Sequence, residues 1–197
     1  MELEIQKAIE LGMDELCFTE HSDYDVPTVV NCDYDAYFKE MEEMKEKYKG
    51  QITLKTGIEF GIQVHTTKAY EETFGQYPFD FVIFSCHQVE NKEYWRQEPQ
   101  KGKTQLEYNR RYYQEILDVV KAYKDYSILG HLDVIKRYDL NGEIELEKIK
   151  DLIEQIFKVV IADGKGIELN TSSRAYHLKS LMPSREILEL YHDMGGK

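Results

Sequence analysis

The hydrophobic positions of this chain alternate between two periods. Leu3, Ile5, Ala8, Ile9 and Leu11 recur at helical spacing, and Gly12 offers a stop. The apolar run Leu16–Phe18 then reads as a strand. Tyr34–Tyr48 has the pattern of a charged amphipathic helix closed by Gly50. Ile52–Ile58 predicts a strand, Thr67–Phe74 a short helix, and Phe79–Ser85 a strongly apolar strand. Residues 90–103 are polar, contain Pro and Gly, and predict a long loop. Thr104 can cap a helix that runs to the neighbourhood of Tyr123. Ser127–Leu129 and Gly166–Leu169 predict strands, Leu146–Ile161 a helix, and Ser184–Met194, opened by Pro183, a last helix.

Strands and helices thus alternate along the whole chain, the signature of parallel α/β units in one domain over residues 1–197. No linker, low-complexity tract or solenoid repeat interrupts them. The chain opens on a helix and closes on a helix and Gly195-Gly196. In a βα-repeating fold each end then lacks a neighbouring strand. The expectation is the middle of a larger barrel, with Met1 an internal methionine.

Composition narrows the function classes. Hydrophobic residues make up 42% of the 197, enough for a packed core. The net charge of −12 argues against a nucleic-acid-binding surface and requires local cations at any phosphate site. No apolar run is long enough for a membrane span, and the acidic amphipathic N-terminus is not a targeting signal. Cys17, Cys32 and Cys86 form no CxxC pair, so neither a disulfide framework nor a zinc finger is indicated. Cys17 and Cys86 sit in apolar runs as core thiols, and a reducing cytoplasm suits them.

The chemistry gathers where the strands end. The segments ELCFTEH, TLKTGIEFG, FDFVIFSCH, YSILGHLD and GIELNTS each pass from apolar residues to polar ones. They deliver His21, Glu59, His87, His131 with Asp133, and Asn170. In a parallel barrel all C-terminal strand ends open on one face, so these residues converge in one bowl. His and Glu side chains there suit Zn²⁺, Mn²⁺ or Fe²⁺, and a carboxylate can bridge two ions. A single His after a strand is more often a hydrogen-bonded structural residue; the shared topological position of four candidates is what points to a metal site. His65 reads as a loop residue, His192 as surface, and His177 as a residue near the mouth. Arg137 and Arg174 follow two of the strand ends on loops, where a guanidinium can grip phosphate with its bidentate fork. The alternative for each is an ordinary surface ion pair. Lys136 is a weaker candidate, and the charges of the helices, such as Glu43 and Glu46, read as a solvated face.

TEH, GIEFG, SCH, GHLD and ELNTS, in this order and spacing, resemble the PHP (polymerase and histidinol phosphatase) family. The stretches SCHQVENKEYW, LGHLDVIKRYD and IELNTSSR are similar to its histidinol-phosphatase branch. The resemblance covers nearly the whole chain. It implies an α/β fold of the distorted (β/α)7 TIM-like barrel type. It implies up to three divalent transition metals, Zn, Mn or Fe, in the intact protein. The implied reaction is hydrolysis of L-histidinol phosphate in histidine biosynthesis, by attack of a metal-bridging hydroxide and without a covalent enzyme intermediate. By motif, Glu59 looks like the bridging carboxylate and His87 and His131 like the remaining protein ligands of the second metal. His21 looks like a ligand of the third, and Arg137 and Arg174 like the phosphate-gripping residues. Trp95, in the 90–103 loop, is placed to help enclose substrate. The family pattern also has an HxH strand at its start and an Asp-x-His strand at its end, and neither motif is present here. The expectation is a barrel incomplete at both ends, weakly active or inactive as an isolated chain. Two other readings stand beside it: a family phosphoesterase acting on phosphotyrosine or a nucleotide, and a non-catalytic metal-binding remnant. The oligomeric state is left open.

Overall fold

The computed structural model describes residues 1–197. Its frame is a five-stranded parallel sheet laid down in chain order. Helix α1 (Glu2–Glu10) leads into β1 (Glu15–Ser22), α2 (Tyr34–Lys47) into β2 (Thr53–Gly61), and α3 (Thr67–Gln76) into β3 (Phe81–Ser85). A small antiparallel hairpin, β4 (Gln88–Val89) and β5 (Lys92–Glu93), precedes α4 (Gln105–Ala122). Strand β6 (Ile128–Leu129), α5 (Lys150–Ala162), β7 (Gly166–Ile167) and α6 (Arg185–Asp193) complete the order. The sheet runs β1-β2-β3-β6-β7, which puts every C-terminal strand end on one side. An α/β fold of sequentially ordered parallel strands is what the periodicity predicts, and it is the arrangement from which TIM-like barrels are built.

Burial explains the local choices. Strand β3, FVIFS, lies inside the sheet and is apolar along most of its length because both of its faces are covered. Helix α5 buries Leu152, Ile153, Ile156, Phe157 and Val160, a stripe with the helical repeat. Helix α4 starts at a capping box: the Thr104 hydroxyl accepts from the Glu107 N–H, and the Glu107 carboxylate accepts from the Thr104 N–H. It buries Tyr108, Tyr112, Ile116, Val119 and Val120 among others in a 31-residue core. A separate cluster of seven, including Ile5, Ala8, Tyr37, Met41 and Leu54, seats α1 and α2 on the first two strands. Gly57 lets β1 approach β2 closely at this point. A Cβ on it would stand 2.7 Å from Cys17 Sγ and 2.8 Å from the Phe18 carbonyl oxygen.

Two expectations change in detail. Strand β1 does not stop at Phe18 but continues to Ser22, so His21 is held by sheet pairing rather than by a loop. The polar residues misled because β1 is incompletely covered along its length, with Glu20 and His21 both exposed before the buried Ser22 that ends it. The long loop at 90–103 contains structure as well. Glu90 and Asn91, at φ 56° and 58°, form the tight turn between β4 and β5, and Tyr94–Arg96 adds a turn of 3₁₀ helix. No helix is long and apolar enough to cross a membrane.

Candidate metal centre

The register of β1 on β2 sets His21 directly opposite Glu59. The register of β2 on β3 sets Gly61 opposite Ser85, so that His87 follows two residues beyond the same level. His131 follows β6 by two residues. Four sequence-distant side chains therefore meet at the strand ends. His87 Nε2 and His131 Nε2 stand 3.1 and 3.0 Å from Glu59 Oε1, and 3.3 Å from each other. His21 Nε2 stands 3.1 Å from the second Glu59 oxygen. Glu59 is thus the shared carboxylate of three imidazoles.

Asp23 is the participant that sequence reasoning left without a role. It is buried, and its Oδ1 accepts from His87 Nδ1–H at 2.7 Å. A carboxylate only accepts, so Nδ1 carries the proton and Nε2 is the atom aimed at Glu59 and His131. Gly61 creates the space for this contact, since a Cβ there would lie 1.8 Å from Asp23 Oδ1. The available signal was the position of Asp23 two residues past His21 and just beyond the end of β1, close in sequence to a candidate ligand.

The electrostatics follow from this crowding. Burial acts to raise the Glu59 pKa, but hydrogen bonds from His131, His21 and His87 outweigh it and hold the carboxyl well below its usual range. Burial opposes ionisation of Asp23 too, and His21 and His87 overcome it, so Asp23 also lies well below the usual range. Burial lowers the His87 pKa, yet Asp23 and then Glu59 raise it to about 9. Asp23, then Glu59, raise the half-exposed His21 to about 10. Protons shared among carboxylates and imidazoles thus hold the centre together. Two imidazole Nε2 atoms 3.3 Å apart on one carboxylate oxygen are equally an arrangement for a cation. Glu59, His87 and His131 offer ligand atoms within 4.8 Å of one another, and so do His21, Asp23 and His87. Nitrogen and carboxylate donors of this kind fit a divalent transition metal.

A cavity of about 440 Å³ opens over the cluster. Its wall includes Arg137, Trp95, Tyr138, Asn170, Ser172 and Tyr176. Arg137 is the one permanently charged cation in that wall. Its Nη2 donates to Ser172 Oγ at 2.8 Å, its guanidinium lies 3.7 Å from the Tyr176 ring centroid, and its Nε has no protein partner. Arg174 is exposed on the same 3₁₀ turn as Ser172 (Thr171–Arg174) and is not a wall residue. Asp133, grouped with His131 by sequence, is buried elsewhere against Lys136. His65 contacts Asn91, His177 is exposed outside the cavity, and His192 is exposed on α6.

Fold and site together define a parallel α/β protein with a histidine–carboxylate centre suited to divalent transition metals. The chain belongs to the PHP domain family, whose model matches residues 1–172. A histidinol-phosphatase of Lactococcus lactis is 31% identical over 171 residues, covering 85% of this chain and 64% of the relative. The chain therefore spans less than two thirds of that relative's length. A crystal structure of histidinol phosphate phosphatase from the same organism, complexed with zinc, L-histidinol and phosphate, superimposes with a TM-score of 0.86 at 27% identity. It matches 100% of this chain and 76% of its own. A Listeria monocytogenes structure, 18% identical, shares the fold with a TM-score of 0.72 over 98% of this chain and 84% of its own.

Proposed function

We propose that the protein serves a metal-dependent phosphomonoester hydrolase that acts on L-histidinol phosphate. The observation that carries this reading is the convergence of Glu59, His87, His131 and His21 in a cavity whose wall holds a single permanent cation, Arg137. The likeness to a structure holding zinc, L-histidinol and phosphate supports the substrate class. Glu59, His87 and His131 would hold one ion, and His21, beside the other Glu59 oxygen, would serve a neighbouring one. Bound divalent ions supply Lewis acidity toward a phosphoryl oxygen and lower the pKa of water.

The chain's own residues do the rest. Arg137 draws a phosphate dianion into a protein whose net charge of −12 repels it. Asp23 fixes the ring of His87 and directs Nε2 at the centre. Trp95, Tyr138 and Tyr176 form an aromatic wall that covers the organic part of the substrate and limits water. Arg174, exposed on the turn that carries Ser172 and outside the cavity wall, would be a second cation for the phosphate. None of the three cysteines lines the cavity, and Ser172 Oγ is engaged by Asn170 and Arg137. Neither a cysteine thiol nor the Ser172 hydroxyl is therefore set up as a nucleophile, and in this reading water attacks phosphorus directly. Three free cysteines suit a cytoplasmic setting.

The test is phosphate release by the metal-loaded protein from L-histidinol phosphate, phosphotyrosine and a nucleoside monophosphate. The highest kcat/KM belongs to histidinol phosphate; a preference for another monoester overturns the substrate assignment. Elemental analysis of His87→Ala and His131→Ala shows lost metal, and undiminished metal in both overturns the centre.

A further inference from the structure

The 3₁₀ turn Val134–Arg137 carries two adjacent cations that serve different places. Arg137 enters the wall of the metal-site cavity; Lys136 does not. The Lys136 side chain is only 6% exposed and lies 2.8 Å from the carboxylate of Asp133, itself 4% exposed. Lys136 Nζ also donates to Ser180 Oγ at 2.7 Å and to the Leu181 carbonyl. The same Asp133 oxygen accepts from the Ser184 N–H at 3.0 Å, at the cap of α6. One buried ion pair thus fastens residues 180–184 at three points.

That segment leads back to the cavity. Met182, fully buried, accepts at its carbonyl from the Asn170 N–H at 2.7 Å. Asn170 Oδ1 accepts from the Ser172 N–H at 2.9 Å, and the Ser172 hydroxyl holds Arg137. The contacts therefore close a ring: Lys136 to Leu181, Met182 to Asn170, Asn170 to Ser172, and Ser172 to Arg137. The ring begins and ends on neighbouring residues of one turn. A carboxylate and an ammonium withdrawn this far from water lose hydration that a surface pair would keep, and simple attachment of a loop does not need them.

We infer that Lys136, paired with Asp133, is a positioning residue that holds the Asn170–Tyr176 arm in place so that it aims Arg137 at the substrate phosphate. The inference rests on the reading of Arg137 as the phosphate ligand. The experiment is calorimetric titration of the zinc-loaded full chain with inorganic phosphate. Lys136→Met raises the phosphate Kd about tenfold, through a misaimed charge-assisted contact. It raises KM for histidinol phosphate alongside, with a smaller change in kcat, and leaves zinc stoichiometry unaltered. Lys136→Arg, which keeps the charge, recovers part of the affinity. In an Arg137→Met background, Lys136→Met has no additional effect on phosphate, a coupling that general loosening of the fold would not produce. If Lys136→Met is unstable because Asp133 is left unpaired, the double variant Asp133→Asn/Lys136→Met removes both charges and is read the same way. Unchanged phosphate affinity in the Lys136 variants, with Arg137→Met weakened, overturns the positioning role alone. Unchanged affinity in Arg137→Met overturns the functional reading of Arg137 and this inference with it.

Discussion

Gly61→Ala is the substitution that most directly interrogates the candidate metal centre without replacing any of its proposed ligands. Gly61 ends β2 in ordinary strand geometry, outside the positive-φ set, so alanine adds no backbone strain. Its Cβ would stand 1.8 Å from Asp23 Oδ1, 2.7 Å from Asp23 Cγ and 2.8 Å from His87 Nδ1. Ordinary contact begins at 3.4 Å, so the carboxylate oxygen must withdraw by about 1.6 Å (3.4 less 1.8). The 2.7 Å bond to His87 Nδ1 cannot survive that displacement. Loss of a buried, charge-assisted hydrogen bond costs about 1.5–3 kcal/mol of stability in the metal-free protein. Loss of the partner that orients a metal-binding imidazole weakens metal binding by about 10–100-fold. Competition with a chromogenic chelator at fixed pH measures the zinc affinity, and nitrogen-15 NMR of His87 reports whether Nδ1 still carries its proton. Zinc affinity within about twofold of the parent, with the His87 tautomer intact, would refute the claim that Asp23 orients His87.

Metal and protons should compete at the same atoms. His21 and His87 are raised in the folded state, to about 10 and about 9 from the usual 6.5. Their contribution to the stability of the metal-free protein is fully present below pH 6.5 and is lost as pH rises through 9 to 10. Asp23 and Glu59 are depressed, so their contribution is present above their usual values of 3.8 and 4.5 and is lost as pH falls below them. The Tm of the metal-free protein therefore declines toward alkaline pH, whereas zinc, which replaces the protons, abolishes that decline and releases protons on binding; an alkaline decline identical with and without zinc counts against the shared site. Arg137→Met should raise KM for the phosphomonoester by about 10–100-fold, as expected for one charge-assisted contact, with metal content unchanged by elemental analysis. Thr104→Ala removes the capping box of α4 and should lower stability to urea by about 0.5–2 kcal/mol, far from the site and without effect on metal affinity.

Much of this molecule is legible in one dimension because its elements obey short-range rules. The apolar stripe of α5, the Thr104 cap and the apolar β3 are local patterns, and the structure departs from them by a few residues at most. The candidate ligands were legible for a related reason. His21, Glu59, His87 and His131 occupy one topological position, the C-terminal end of a strand, and parallel pairing in chain order brings such positions together without further instruction. What was hidden had no local signature. The tight turn at Glu90-Asn91 lacks the usual glycine, and β1 extends through polar residues whose side chains, Glu20 and His21, lie exposed.

By itself, then, the sequence determined the order of strands and helices, the acidic background and the four side chains that can meet at the strand ends. Tertiary structure decided which atoms of those side chains face one another. It placed Asp23 under His87 and chose Nε2 as the inward nitrogen, because only packing against Gly61 brings the carboxylate to Nδ1. It also separated Arg137 from its neighbour Lys136 and from Arg174 on a second turn. The cavity wall admits Arg137, Arg174 is exposed on its turn, and Asp133 buries Lys136. Such choices depend on distances between residues far apart in the chain, and no periodicity records them.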